Sequence, residues 1–232
     1  MRSRLLMLVA ALLTALPAVV GAQVGFKPEN SPFRDVDQST RVAGFVGWFR
    51  GAHDVAGILP KSGPLVGFRW DVHIGGPADL AIRISHVSTE RNVIDPTKAA
   101  ALRIVDKRHV SLGFADAGIA FHLTGNKTWH NLMPLLYGSV GIVTDFAGTD
   151  IGGFQHGTTF AMGYGLGVRY ARPNARLGLR ADLGSYMYSL QYPASYYLPS
   201  ADSTSVLKSA TPRGQWRNNY TFSVGVNYVL FK

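Results

Sequence analysis

The chain has 232 residues, 23 Lys and Arg against 14 Asp and Glu for a formal net charge of +9, and no cysteine. Without cysteine a disulfide framework is excluded, so packing and backbone pairing must hold the fold. The length suits a single β domain, and the basic balance asks for an anionic partner, either nucleic acid or acidic lipid headgroups.

The N-terminus decides between them. Arg2 and Arg4 precede an apolar run from Leu5 to Val20, and Val20-Gly21-Ala22 supplies small residues before Gln23. This is the pattern of a secretory signal peptide over 1–22, cleaved near Ala22. A retained membrane anchor is the competing reading, but the apolar run is short for one. Export removes nucleic acid from the partners, and no Cys follows the run to carry a lipid. Residues 23–38, with Pro28 and Pro32, read as a periplasmic lead-in, and 39–232 as one barrel domain. No later segment reaches about 18 consecutive apolar residues, so no spanning helix is expected.

From Ser39 onward the apolar residues alternate with a period of two, the mark of strands with one apolar face. Eight strands are predicted, at 39–50, 64–75, 78–88, 108–123, 129–145, 158–170, 176–186 and 218–231. The first (STRVAGFVGWFR) alternates poorly and its facing stays open. In the fourth, Val110, Leu112 and Phe114 share one parity while Ala117, Ile119 and Phe121 share the other, which predicts a β-bulge near Ala115. Connections alternate between tight turns (75–77, 124–128, 171–175) and longer segments (51–63, 89–107, 146–157, 187–217). That rhythm belongs to an up-and-down barrel with one short-turn end and one long-loop end.

Alternation fits two barrels. A soluble, lipocalin-like barrel is apolar inside, and a membrane barrel is apolar outside. Every lysine falls in a loop, a turn or a strand end, whereas a water-facing strand surface would carry Lys and Glu. The strand charges are Arg69, Asp71, Arg83, Asp116, Arg169, Arg180 and Asp182, on the parity shared with glycines such as Gly163, Gly165 and Gly167. Glycine weakens a strand unless something crowds it. An eight-stranded barrel has room inside for little more than its own side chains. The glycine and charge face is therefore predicted inside, as an Arg/Asp network that plugs the barrel, with a gated channel as the competing reading. The apolar face is predicted to meet lipid. Trp48, Trp70, Trp129, Tyr170, Tyr186, Tyr188, Tyr220 and Tyr228, near strand ends, suit interfacial girdles. The fold class is thus all-β, an eight-stranded antiparallel up-and-down transmembrane β-barrel, and an exported barrel of this kind belongs in a Gram-negative outer membrane.

In the last strand Ser223, Gly225, Tyr228 and Leu230 follow the polar-x-Gly-x-x-aromatic-x-hydrophobic pattern of a barrel C-terminal insertion signal, with Phe231 displaced from the end by Lys232. Together with SPFRDV (31–36), STERNVIDP (88–96), DAGIAFHLTGNKTWH (116–130), FAMGYGLGVRY (160–170) and LGLRADLGSYMYSLQYP (177–193), it makes the mature chain resemble small outer-membrane β-barrel proteins of the OmpA/OmpX type. More closely, the chain is similar to a group of bacterial outer-membrane β-barrel-domain chains. The resemblance implies a fold and an outer-membrane location, but no activity; the signal in the last strand predicts recognition by the barrel-assembly machinery. Unlike OmpA, the chain is expected to end at its last strand, without a peptidoglycan-binding domain.

Enzyme chemistry has one candidate. His86 and Ser88, on one face of the third strand, resemble the His-x-Ser pair of outer-membrane lipid A deacylases, with Glu90 or Asp95 as the acid that would orient the histidine. The bland alternative is an interfacial histidine at a strand end. Gly163-x-Gly165-x-Gly167 lies within a strand with no helix after it, so it is not a nucleotide loop. The seven histidines make no metal spacing, and neither metal nor cofactor is expected. The sequence thus predicts a structural or surface-binding outer-membrane barrel without catalysis, with a narrow porin-like channel and a deacylase-like hydrolase as alternatives. Expected partners are outer-membrane lipid or lipopolysaccharide, and an extracellular ligand at 187–217, where Tyr192, Tyr196 and Tyr197 cluster.

Overall fold

The structure, a computed structural model, describes residues 31–36 and 39–231. The expected signal peptide (1–22) and most of the lead-in lie outside the described residues. The described strands are β1 (Phe33–Asp35), β2 (Arg41–Arg50), β3 (Gly63–Gly75), β4 (Ala78–Ile94), β5 (Ile104–His122), β6 (Lys127–Trp129), β7 (Leu132–Asp145), β8 (Thr158–Tyr170), β9 (Leu177–Gln191) and β10 (Gly214–Val229). The eight long ones form an antiparallel meander, and β10 closes on β2 from Tyr220↔Arg50 to Val229↔Arg41. Closure pairs each of the eight long strands on both sides through the middle of the barrel, as a lipid-embedded sheet requires. The first residue before β2 and the last after β10 meet at the short-turn end, where the Leu230 amide donates to the Thr40 carbonyl at 2.9 Å.

The β1 strand and the turn differ from expectation. Within the predicted lead-in, β1 pairs with β6, Phe33 opposite Trp129. The predicted fifth strand starts three residues late, at Leu132, because His130 and Asn131 both take positive φ (50° and 66°). Two successive positive φ values make the tight reversal that a hairpin needs.

The β-bulge predicted near Ala115 is absent. Register runs unbroken through Ile84↔Ala115 on one side and Ala115↔Ile142 on the other. Instead β5 keeps its phase while the barrel interior changes character. Val110, Leu112, Phe114, Asp116, Ala120 and His122 all point inward. Below Phe114 the inside is rich in charge, and above it the inside of β5 is apolar. The observed register shifts lie at the rims, between His73 and Gly75 and between Val93 and Ile94.

Several strands outrun their predicted ends on the long-loop side. β4 reaches Ile94, β5 starts at Ile104, β9 reaches Gln191 and β10 starts at Gly214. On the outer face, apolar residues give way near this end to His86, Ser88, Ser111, Thr144, Thr158 and Asn218. Beyond that line much of the outer face is polar, and the interior is largely apolar around a few buried charges. Its second core contains Phe49, Leu65, Val87, Phe114, Tyr188 and Leu190 from strands, and Ile58, Phe154, Tyr196 and Leu207 from loops. The open question of β2 is settled as well, with Ala43, Phe45 and Phe49 inward and Val46 and Trp48 outward.

Candidate functional site: barrel interior and outer rim

The crowding predicted opposite the glycines is present. A Cβ on Gly165 would meet the Leu183 carbonyl and the Tyr137 hydroxyl, one on Gly167 the Asp182 carboxylate, and one on Gly163 the Ser139 hydroxyl. Missing side chains on β8 make room for large groups reaching across from β7 and β9.

The structure buries all seven predicted interior charges: Arg69, Asp71, Arg83, Asp116, Arg169, Arg180 and Asp182. Register sets Arg83 directly between Arg69 on β3 and Asp116 on β5, and sets Arg169 opposite Arg180. Like charges so opposed need carboxylates between them. The Arg83 guanidinium donates to Asp116 at 3.0 Å and to the Ser139 hydroxyl at 3.0 Å, and stacks over Tyr137 and Tyr186. The Tyr186 hydroxyl donates to the other Asp116 oxygen at 2.7 Å. Arg69 and Arg180 share Asp182 at 2.9 and 2.8 Å, and Arg180 also lies 3.7 Å from Asp71. Arg169 donates to the Met133 sulfur at 2.9 Å.

Sequence reasoning missed two further clusters. At the short-turn end Asp79, fully buried, pairs with Arg41 and accepts contacts from His122 and His73. Arg41 and Asp79 stand at strand ends, where a charge passes for a rim residue; their inward parity was the available signal. At the opposite end Arg91, 1% exposed, pairs with Asp150, which also accepts from Arg108 at 2.8 Å. Arg91 lies on the part of β4 beyond the predicted strand.

The loops above this end are tied together, with 192–213 as the hub. The Tyr192 hydroxyl donates to Asp54 in the first loop at 3.2 Å, and Ser195 to the Gly152 carbonyl in the third at 2.5 Å. Arg103, next to the second, donates to the Ser205 carbonyl and to Ser200 at 2.9 and 2.8 Å. Tyr192 and Tyr196 are buried, Tyr196 completely, so they are core residues and not displayed aromatics. Burial, with Asp54 alongside, pushes the Tyr192 hydroxyl up to about 12. Tyr186 and Tyr188 are likewise interior and leave the predicted girdle, whereas Trp48, Trp70, Trp129, Tyr220 and Tyr228 are exposed on the outer face. Of the predicted insertion signal, Ser223 is buried, while Tyr228, Leu230 and Phe231 are on the outside.

His86 and Ser88 share the outward face of β4, but Ser88 makes its hydrogen bond elsewhere, to His109 Nε2 on β5 at 3.2 Å. The expected His86–Ser88 pair is therefore replaced by a cross-strand one. Glu90 lies opposite His109 in register, yet among the described residues its carboxylate bonds to neither histidine. Asp95 is turned to the Thr97 hydroxyl and amide, whose hydrogen bonds hold it below the usual carboxylate range. Neither of the two acids predicted to orient the histidine thus takes that place beside the Ser88–His109 contact. Among the described residues no group of three His, Asp or Glu could hold a metal.

No family model matches the chain, and no curated protein matches it. Solved structures do. Neisserial surface protein A aligns at a TM-score of 0.50 and 13% identity over 82% of this chain and 97% of that one. The fold is that of the small outer-membrane β-barrels. The N-terminal barrel domain of Pseudomonas aeruginosa OprF (TM-score 0.42, 13% identity, 82% and 98% coverage) and Yersinia pestis Ail (0.38, 11%, 82% and 100%) are also similar. Barrels of this fold turn an outward apolar belt to lipid and carry short turns at one end and long loops at the other, and this chain has both features.

Proposed function

We propose that the protein is a non-catalytic integral outer-membrane barrel whose filled interior carries a packed extracellular cap that serves as a binding surface. The observation that carries this reading is the interior itself. The gap between Arg69, Arg83, Asp116 and Arg180 measures about 10 Å³, at the limit of what one water needs. Above it Phe49, Tyr188, Leu190 and Tyr196, all 1% exposed or less, fill the mouth. Such an interior supports a plug and disfavours the porin-like alternative. The Ser88–His109 contact favours a hydrolase enough to be tested beside it.

The experiment is gel mobility of the protein from isolated outer membranes, boiled against unboiled, followed by planar-bilayer conductance and mass spectrometry of lipid A. Expected are a heat-dependent shift, no single-channel steps, and the same lipid A acylation with wild type and Ser88→Ala. Discrete conductance would replace the plug by a channel. A loss of deacylated lipid A in the variant would make the barrel an enzyme.

A further inference from the structure

A cleft of about 420 Å³ opens at the outer rim between the end of β2 and the 51–62 loop, lined among others by Arg50, His53, Asp54, Lys61 and Asn92. Arg50 is the last residue of β2 and points outward, two residues beyond the lipid-facing Trp48. The cleft thus opens where the apolar belt ends and the polar layer of the outer leaflet begins.

Its charges are unbalanced. Among the described residues Arg50 makes no ion pair or side-chain hydrogen bond. Lys61 donates to a neutral group, the Asn92 amide oxygen, at 3.1 Å. The one carboxylate in the lining, Asp54, is taken up within the loops: it accepts from the Leu59 amide at 3.0 Å, the Ala56 amide at 3.2 Å and the Tyr192 hydroxyl at 3.2 Å. Glu90, whose carbonyl accepts from the Lys61 amide at 2.8 Å, pairs through its carboxylate with neither cation. Asn92 is pinned by a second bond, to the Gly57 carbonyl at 3.0 Å, so Lys61 is held on a fixed wall. Three other cations at this end, Arg91, Arg103 and Arg108, do have aspartate partners. Two cations left without carboxylates beside a cleft are arranged for an anion from outside. A guanidinium and an ammonium suit phosphate oxygens.

We propose that this cleft binds a phosphorylated sugar of the outer-leaflet lipopolysaccharide, with Arg50 and Lys61 holding the phosphate and the acyl chains lying on the apolar belt below. The inference rests on the outer-membrane reading above and gives it a specific lipid contact. The test uses the mature protein in detergent micelles, titrated with deep-rough lipopolysaccharide, with the same lipopolysaccharide stripped of phosphate, and with inorganic phosphate, and followed by Trp fluorescence and by lipid retained in native mass spectrometry. Each lost charge-assisted bond is worth a factor of about ten or more. Arg50→Gln with Lys61→Gln should therefore weaken binding of the phosphorylated form at least about tenfold, while Arg50→Lys with Lys61→Arg keeps most of it. Equal binding by wild type and the Gln pair, or no preference for the phosphorylated form, overturns the proposal. Inorganic phosphate competing as well as the lipid makes this a small-anion site and overturns the lipid assignment. A heat-dependent gel shift in the Gln pair shows that the barrel still closes. Loss of that shift in wild type itself would instead overturn the outer-membrane reading.

Discussion

At the scale of single residues, the buried charges divide by how many partners each would leave behind. Asp116 is the hinge of one group, accepting from Arg83 and from Tyr186, both buried. Removing one member of a buried pair strands the other, at a cost of about 3–5 kcal/mol, whereas replacing both by apolar groups is close to neutral. Asp116→Asn and Arg83→Leu should each lower the guanidinium unfolding midpoint of the barrel in vesicles clearly, and Arg83→Met with Asp116→Leu should recover most of it. Equal losses in single and double variants would mean that packing, and not charge, is what these residues supply. The seven interior charges were legible from parity because the lipid face excludes charge, so a charged residue in mid-strand has one place to go. The Ser88–His109 contact was not legible, because it depends on the register between β4 and β5, and alternation within one strand carries no register.

At the scale of elements, β5 shows how far period two can be read. Alternation says that a strand has two faces but not which medium lies against each. Where β5 leaves the membrane the outside becomes water and the inside apolar, so the hydrophobic parity flips without any change in backbone. A flip of parity had been the sole sign of a bulge, and it marks the outer membrane boundary instead. The same inversion hid the tips of β4 and β9, whose outward residues include Glu90, Asn92, Ser189 and Gln191, polar like those of loops. The cap they support has an acid-sensitive point at His156, which stacks edge-on against Tyr188 with ring centres 5.3 Å apart and contacts the Gly157 carbonyl through Nδ1 at 3.2 Å. Burial lowers its pKa below the ordinary histidine value of about 6.5. Below that value an opened loop takes up a proton that the folded loop refuses, so stability present at neutral pH is lost as pH falls. Limited proteolysis within 146–157 should therefore rise between pH 7.5 and pH 5, and His156→Gln should flatten the rise. A pH-independent rate in wild type would remove His156 from this role.

At the scale of the whole molecule, two solvents set two sets of rules along one barrel. Val224, near the middle of β10, faces outward between Val46 and Ala181 and is 43% exposed. Arginine at the bilayer midplane costs a barrel about 2–4 kcal/mol, whereas an exposed surface position in water changes stability by about 0.5 kcal/mol or less. Val224→Arg should thus fall in the first range when unfolding is followed in phospholipid vesicles. A change within the second would mean that the apolar face does not meet lipid. The cap follows the second set of rules: it has its own hydrophobic core, and 192–213 holds the other three loops through Tyr192, Ser195 and the Ser200–Ser205 turn that takes the Arg103 guanidinium. On the extracellular orientation proposed above, such a surface is to an antibody a discontinuous epitope. Its shape is drawn from four chain segments at once, so a peptide copied from any one loop presents a different surface from the assembled cap.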